Sequence, residues 1–176
     1  LLSENGATVP LTVSVPAPMT DADYVESVHL FAPRNPTPEL AVFRFTPLAG
    51  RAEIQTRVRL NESQAVVGVA RLSSGEIRVA EREVRVTVTG CLLSDDTYSA
   101  TDLMQTRIRV PERLAAGEAA EVLTLINHPM ETGLRTDSSG ATLPQRIIER
   151  FEARLDDAPA VTAELHRGIS ANPYLR

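Results

Sequence analysis

The sequence predicts an all-β protein made of two antiparallel β-sandwiches in tandem. Three observations carry this. Short apolar–polar alternations recur along the first half, and turn-forming clusters separate them. A polar, acidic stretch then divides this half from a second set of strand-like runs. The length, 176 residues, suits one domain or two small ones.

Residues 11–15 alternate apolar and polar side chains, the period of a half-buried strand. Residues 24–31 follow, with Val28, Leu30 and Phe31 apolar. Residues 41–45 are rich in strand formers, and residues 54–60 alternate again. Residues 65–72 and 77–88 complete the set, and Val84, Val86 and Val88 give the cleanest alternation in the chain. Turn chemistry lies between the runs: Pro33 to Pro36, Pro47 to Gly50, and Ser73-Ser74-Gly75. About seven strands at this spacing predict an antiparallel sandwich over residues 1–91.

Residues 92–103 break the pattern with Ser94, Asp95, Asp96, Thr97, Ser99, Thr101 and Asp102. Residues 1–91 carry 9 arginines against 10 acids, and residues 104–176 carry the same. The remaining 3 acids all lie in 92–103, so two nearly neutral halves flank an acidic linker. Residues 104–110 form another strand-like run, stopped by Pro111. Leu114, Ala115, Ala116, Ala119 and Ala120 have helix propensity, but Gly117 interrupts them, and 122–126 has strand composition. A turn followed by a strand is the reading. Residues 147–155 fit a helical face through Ile147, Ile148, Phe151 and Leu155, and a strand face through Phe151, Ala153 and Leu155. The turn signal at Asp156 to Pro159, followed by residues 161–165, favours a hairpin. The second sandwich, 104–176, is short against the roughly 100 residues of a complete one, and is expected to lack a C-terminal piece. The two sandwiches are expected to pack side by side through a modest, partly polar interface.

Composition excludes several function classes. With 43% hydrophobic and 23% charged residues the chain is not wholly disordered. No apolar run approaches the roughly 20 residues of a membrane span. A pI near 5.3 argues against nucleic acid as a partner. All 18 cations are arginine, best explained as coding bias. No Walker loop, G-x-G-x-x-G, G-x-S-x-G or paired-cysteine zinc pattern occurs. An enzyme is therefore not expected, nor a cofactor. Without Trp, and with 4% aromatics, no stacking platform for sugars or bases is foreseen.

Cys91 and the histidines are what remain. A single cysteine forms no internal disulfide. It is either a small buried apolar residue or a free thiol available to another molecule. Asp95 and Asp96 nearby disfavour its thiolate, and no His or Arg adjoins it. A thiol activated by a partner enzyme fits this better than a self-contained nucleophile. His29, His128 and His166 show no metal-ligand spacing, so no metal site is expected. Asn127 to Gly133 reads as a structured loop: Pro129 holds His128 extended, and Gly133 permits a tight turn.

Several runs carry a family resemblance. Ile108-Arg109-Val110-Pro111, the run Leu125 to Gly133 with its His-Pro-Met-Glu-Thr-Gly core, Ala163-Glu164-Leu165-His166 and Ala171-Asn172-Pro173-Tyr174 resemble SoxZ. Pro18-Met19-Thr20 through Val25, Val28 to Ala32, Phe43 to Pro47, Gly50 to Glu53, and Val84 to Cys91 resemble the C-terminal sandwich of SoxY. Both carrier subunits on one chain look like a fused SoxYZ-like carrier, of the type associated with quinoprotein dehydrogenases. The resemblance implies immunoglobulin-like sandwiches in the periplasm and no catalysis. It implies that Cys91 bears a sulfur intermediate covalently, on an arm including Gly90 and Leu92. It also implies partners among periplasmic redox enzymes of sulfur or quinoprotein type. His128, Pro129, Met130, Glu131, Thr132 and Gly133 are expected to form a structural or interface loop.

The sequence departs from the family at the arm. The run Thr89-Gly90-Cys91-Leu92-Leu93 has one glycine and two leucines, and the arm is tethered at both ends rather than free. The 12 residues between Cys91 and Met104 span at most about 40 Å. The alternative reading is a non-covalent two-domain adaptor for a periplasmic dehydrogenase, with Cys91 structural.

Overall fold

The computed structural model describes residues 2–3, 5–87, 102–113, 115 and 117–176. These residues form twelve strands and no α-helix. In the first half they are β1 (Leu2–Ser3), β2 (Val9–Val15), β3 (Val25–Phe31), β4 (Glu39–Phe45), β5 (Ala52–Val58), β6 (Gln64–Leu72) and β7 (Ile77–Val86). The second half supplies β8 (Thr106–Arg109), β9 (Leu123–Ile126), β10 (Arg150–Leu155), β11 (Ala158–Leu165) and β12 (Tyr174–Leu175). The protein is thus all-β, with multiple antiparallel sheets in the manner of tandem sandwiches.

The two halves join edge to edge. One seven-stranded sheet runs β1-β7-β6-β3-β4-β11-β10, crossing from the first half to the second between β4 and β11. There Phe45 faces Val161, Phe43 faces Ala163 and Ala41 faces Leu165. Arg44 and Glu164 form an ion pair on the exposed side. The opposing layer holds β2-β5 and β12-β9-β8. Gln55 and Arg176 exchange main-chain hydrogen bonds of 2.8 and 3.0 Å, which carries this layer across the boundary too.

This contact differs from the modest, partly polar interface expected. A strand edge exposes a row of unsatisfied N–H and C=O groups. Pairing β4 with β11 satisfies both edges and closes one apolar core beneath them. Phe43, Leu30, Leu40, Leu60 and Leu72 from the first half share that core with Ile126, Met130, Ala163, Leu165, Ile169 and Leu175 from the second. Gly168 makes the closest approach possible: a Cβ there would lie 2.2 Å from Leu40 Cδ2.

In the ambiguous stretch 147–155, residues 150–155 form strand β10, hairpinned to β11 with an irregularity at Ala153/Arg154. The described residues around 113–121 form a turn, with Glu118 N–H donating to Ala115 C=O, before β9. The two-residue strands β1 and β12 had no sequence signal, because two residues show no period.

Candidate functional site

Cys91, Gly90 and Leu92 lie outside the described residues. The structure does describe the base from which their segment leaves and to which it returns. Residues 88–101 join Thr87, just past β7, to Asp102, just before β8. Strand directions put both points at one end of the molecule. β7 pairs antiparallel with β6, so Val84 lies beside Gln64, close to the end of β5. β9 runs alongside β5 through β12, and Thr106 at the start of β8 lies opposite Ile126 at the end of β9.

A hydrogen-bonded path connects these two points. Ser63 Oγ accepts from Val86 N–H at 3.0 Å. Gln64 Nε2 donates to Asn35 Oδ1 at 3.0 Å, and Asn35 Nδ2 donates to Arg59 C=O at 2.8 Å. Arg59 then reaches into the second half. Its Nη1 donates to Met130 C=O at 2.7 Å and Ile169 C=O at 3.1 Å, and its Nη2 to Pro129 C=O at 3.0 Å. From there the chain leads back through His128 to Asn127, whose Nδ2 donates to Asp102 C=O at 2.7 Å. Asn127 C=O also accepts from Met104 N–H at 2.9 Å.

Arg59 is 2% exposed, which is unusual for a guanidinium. Burying a cation costs several kcal/mol unless its donors are satisfied. Here charge-assisted bonds to main-chain carbonyls offset that cost. Sequence reasoning missed Arg59. In the alternating run 54–60 it falls in phase with outward-facing Gln55 and Arg57. β5 ends at Val58, so the period no longer governs the residue after it. Asn35, read as turn punctuation, is buried for the same network.

The loop predicted from 127–133 sits at the centre of this base. His128, Met130 and Thr132 are buried. His128 Nδ1 accepts from Met130 N–H at 3.0 Å, and His128 N–H donates to Asn172 Oδ1 at 3.1 Å. Met130 and Asn172 both adopt positive φ, at 49° and 52°. Met130 Sδ accepts from Ile148 N–H at 3.3 Å. Glu131 pairs with Arg135 at 2.5 Å and accepts from Gly133 N–H at 3.3 Å. Thr132 Oγ1 accepts from Leu134 N–H at 3.2 Å. Gly133 has φ of 75°, and a Cβ there would press on Gln145.

Electrostatics follow from burial. Desolvation, with a smaller contribution from nearby Arg146, pushes the His128 imidazole below its ordinary value and keeps it neutral. Burial alone would push Glu131 up. The hydrogen bonds from Arg135, Gly133 and Thr132 and the charge of Arg135 together hold it below the usual carboxylate range. The other two histidines lie apart from this base. Glu39 on β4 sits between them, 3.3 Å from His166 Nε2 and 3.7 Å from His29 Nδ1. The His166 Nε2 contact is close enough for attraction but is not aligned as a hydrogen bond. Among the described residues no group of three or more His, Cys, Asp or Glu side chains is arranged to hold a metal ion.

Two comparisons with protein families give matches. The family described as sulfur oxidation protein SoxY matches residues 2–91, and that described as sulphur oxidation protein SoxZ matches residues 108–176. No curated protein matches the chain. Among solved structures, the chain is similar to superoxide reductase (neelaredoxin) from Ignicoccus hospitalis and to a variant of that enzyme. Each is 18% identical with a TM-score of 0.43, over 48% of this chain and 73% of that one.

Proposed function

Because the chain belongs to the SoxY and SoxZ families, fused on one polypeptide, we propose that it is a periplasmic carrier that holds a sulfur-containing intermediate on Cys91 and presents it to partner enzymes. The family places the protein in sulfur oxidation, and SoxY and SoxZ are carrier or adaptor components rather than catalysts. Among the described residues no helix is long and apolar enough to cross a membrane.

One observation carries the carrier reading. The single cysteine is the last residue of the SoxY match, and the residues that flank its segment, Val86 and Asp102, are tied by hydrogen bonds to the two ends of one path across the molecule. In this reading a partner enzyme approaches the end of the molecule at which Val86 and Asp102 lie. The family resemblance implies partners among redox enzymes of sulfur or quinoprotein type, and no His or Arg adjoins Cys91 in sequence to activate the thiol locally. His128 to Gly133 serves as structure for this base rather than as chemistry.

The test is the intact mass of protein taken from its own periplasm. A sulfur adduct that thiol reductant removes, and that Cys91→Ser abolishes, supports the carrier. Thiol titration adds a second measure. Cys91 in native protein should react within about tenfold of its rate in the unfolded chain, because access costing under about 1.4 kcal/mol is nearly free. An unmodified Cys91 that reacts a thousandfold more slowly overturns the reading and leaves a non-covalent adaptor.

A further inference from the structure

We infer that the path from Ser63 through Asn35 and Arg59 to Asn127 is a positioning device for the thiol-bearing segment, with Arg59 as its positioning residue. The inference rests on the carrier reading for its purpose, but not for its geometry.

The separation of Val86 and Asp102 limits where a residue between them can lie. Residues 88–101 number fourteen and extend at most about 50 Å. If the two ends moved independently, the thiol would be offered to a partner over a wide region. Here the ends belong to different layers. Val86 lies on the seven-stranded sheet, and Asp102 leads into β8 of the other layer. Strand pairing holds neighbours within each layer, and the packed core beneath holds the layers together. At this end, main-chain bonds cross between the halves from Arg59 N–H to Gly168 C=O and from Ser170 N–H to Arg57 C=O, and the Arg59 guanidinium adds side-chain bonds to the 129–130 loop.

Three features single out Arg59 for that task. It is buried, so its bonds are not in competition with water. Its forked donors reach carbonyls of two separate second-half segments, 129–130 and 169, from one first-half residue. Its own carbonyl is held by Asn35, whose Oδ1 also accepts from Asn61 N–H at 2.9 Å. The guanidinium therefore ties the 127–130 loop, which Asn172 holds from its other side, directly to the segment that carries Gln64 and Ser63. That loop sets Asp102 through Asn127. A lysine at this position would offer a point charge and no fork.

The experiment measures the separation of the two ends directly. Spin labels on Arg85→Cys and Arg107→Cys, both exposed, in a Cys91→Ser background, report the distance distribution between β7 and β8. Arg59→Met should at least double its width in protein that is still folded by circular dichroism. Arg59→Lys should give an intermediate width. Asn127→Ala, at a half-buried position, cuts the same path with less risk to folding and should broaden the distribution too. A purely structural Arg59 would lower the urea midpoint and leave the width of the folded protein unchanged. That result in a folded Arg59 variant overturns the inference. If neither Arg59 variant folds, an unchanged width in Asn127→Ala overturns it. A periplasmic protein without a sulfur adduct would instead overturn the carrier reading and leave this geometry standing.

Discussion

At the residue scale, the loop 128–133 shows how local chemistry answers to burial. Gly133 and Gly140 both adopt left-handed backbone, with φ of 75° and 83°. Around Gly140 a Cβ meets nothing within 4 Å, whereas at Gly133 it would lie 3.2 Å from Gln145 Cβ and 3.3 Å from Gln145 N. Gly140→Ala should therefore cost about 1 kcal/mol for conformation alone. Gly133→Ala should cost roughly 2–3 kcal/mol, since main chain must also move. Urea titration of both variants checks the order, and equal costs would contradict it. His128 gives a pH dependence with a definite sign. Its folded value lies below its unfolded one, so between the two the unfolded chain binds more protons. The stabilisation from neutral His128 is full above about pH 6.5 and is lost as pH falls toward the folded value. Stability should drop between pH 7.5 and 5.5, and His128→Asn, which keeps an acceptor for Met130 N–H, should flatten that drop. A variant with the same pH slope as the parent protein would remove His128 as the cause.

At the scale of elements, β11 is the strand on which the join depends. It pairs with β4 on one side and β10 on the other, so it has no free edge. Proline inside such a strand removes a ladder hydrogen bond and strains the backbone. Thr162→Pro should lower stability by about 3 kcal/mol or more. The distinguishing readout is where protection is lost. Because the sheet is continuous, amide hydrogen exchange should quicken in β4 and β3 as well as in β10 and β11. Loss confined to the second half would mean that the halves are held by something other than this ladder. The same element explains why the hairpin 150–165 is strand and not helix. Phe151 and Val161 face the shared core, and only the strand period puts Phe151 and Ala153 on the same face.

At the scale of the whole molecule, covalent fusion and sheet pairing act together. A core that both halves share predicts one cooperative unfolding transition, with coincident midpoints for probes placed in each half. Linking two modules raises their effective concentration to roughly the millimolar range for a short linker. Cutting the link tests how much the pairing does alone. With a protease site placed within residues 94–99, the two fragments should still co-migrate in native buffer and separate in denaturant. Fragments that part in native buffer would show that the connection, and not the β4–β11 ladder with its core, keeps the halves together.

The sequence by itself determined the strand inventory, because alternation of period two and turn residues are local signals. β2 to β11 fall where those signals place them. It also determined the family, through runs such as His128 to Gly133 and Ala171 to Tyr174 in their order. Cys91 was legible as the lone thiol, although its surroundings are outside the described residues. Only the tertiary structure decided which strands meet. Nothing in residues 41–45 or 161–165 says that they pair with each other, since strand edges are alike in sequence and partner choice depends on the whole core. It also decided the role of Arg59. An arginine after an alternating run reads as solvated surface. Its burial comes from carbonyls of residues 129, 130 and 169, brought to it by chain that lies about seventy residues or more away in sequence.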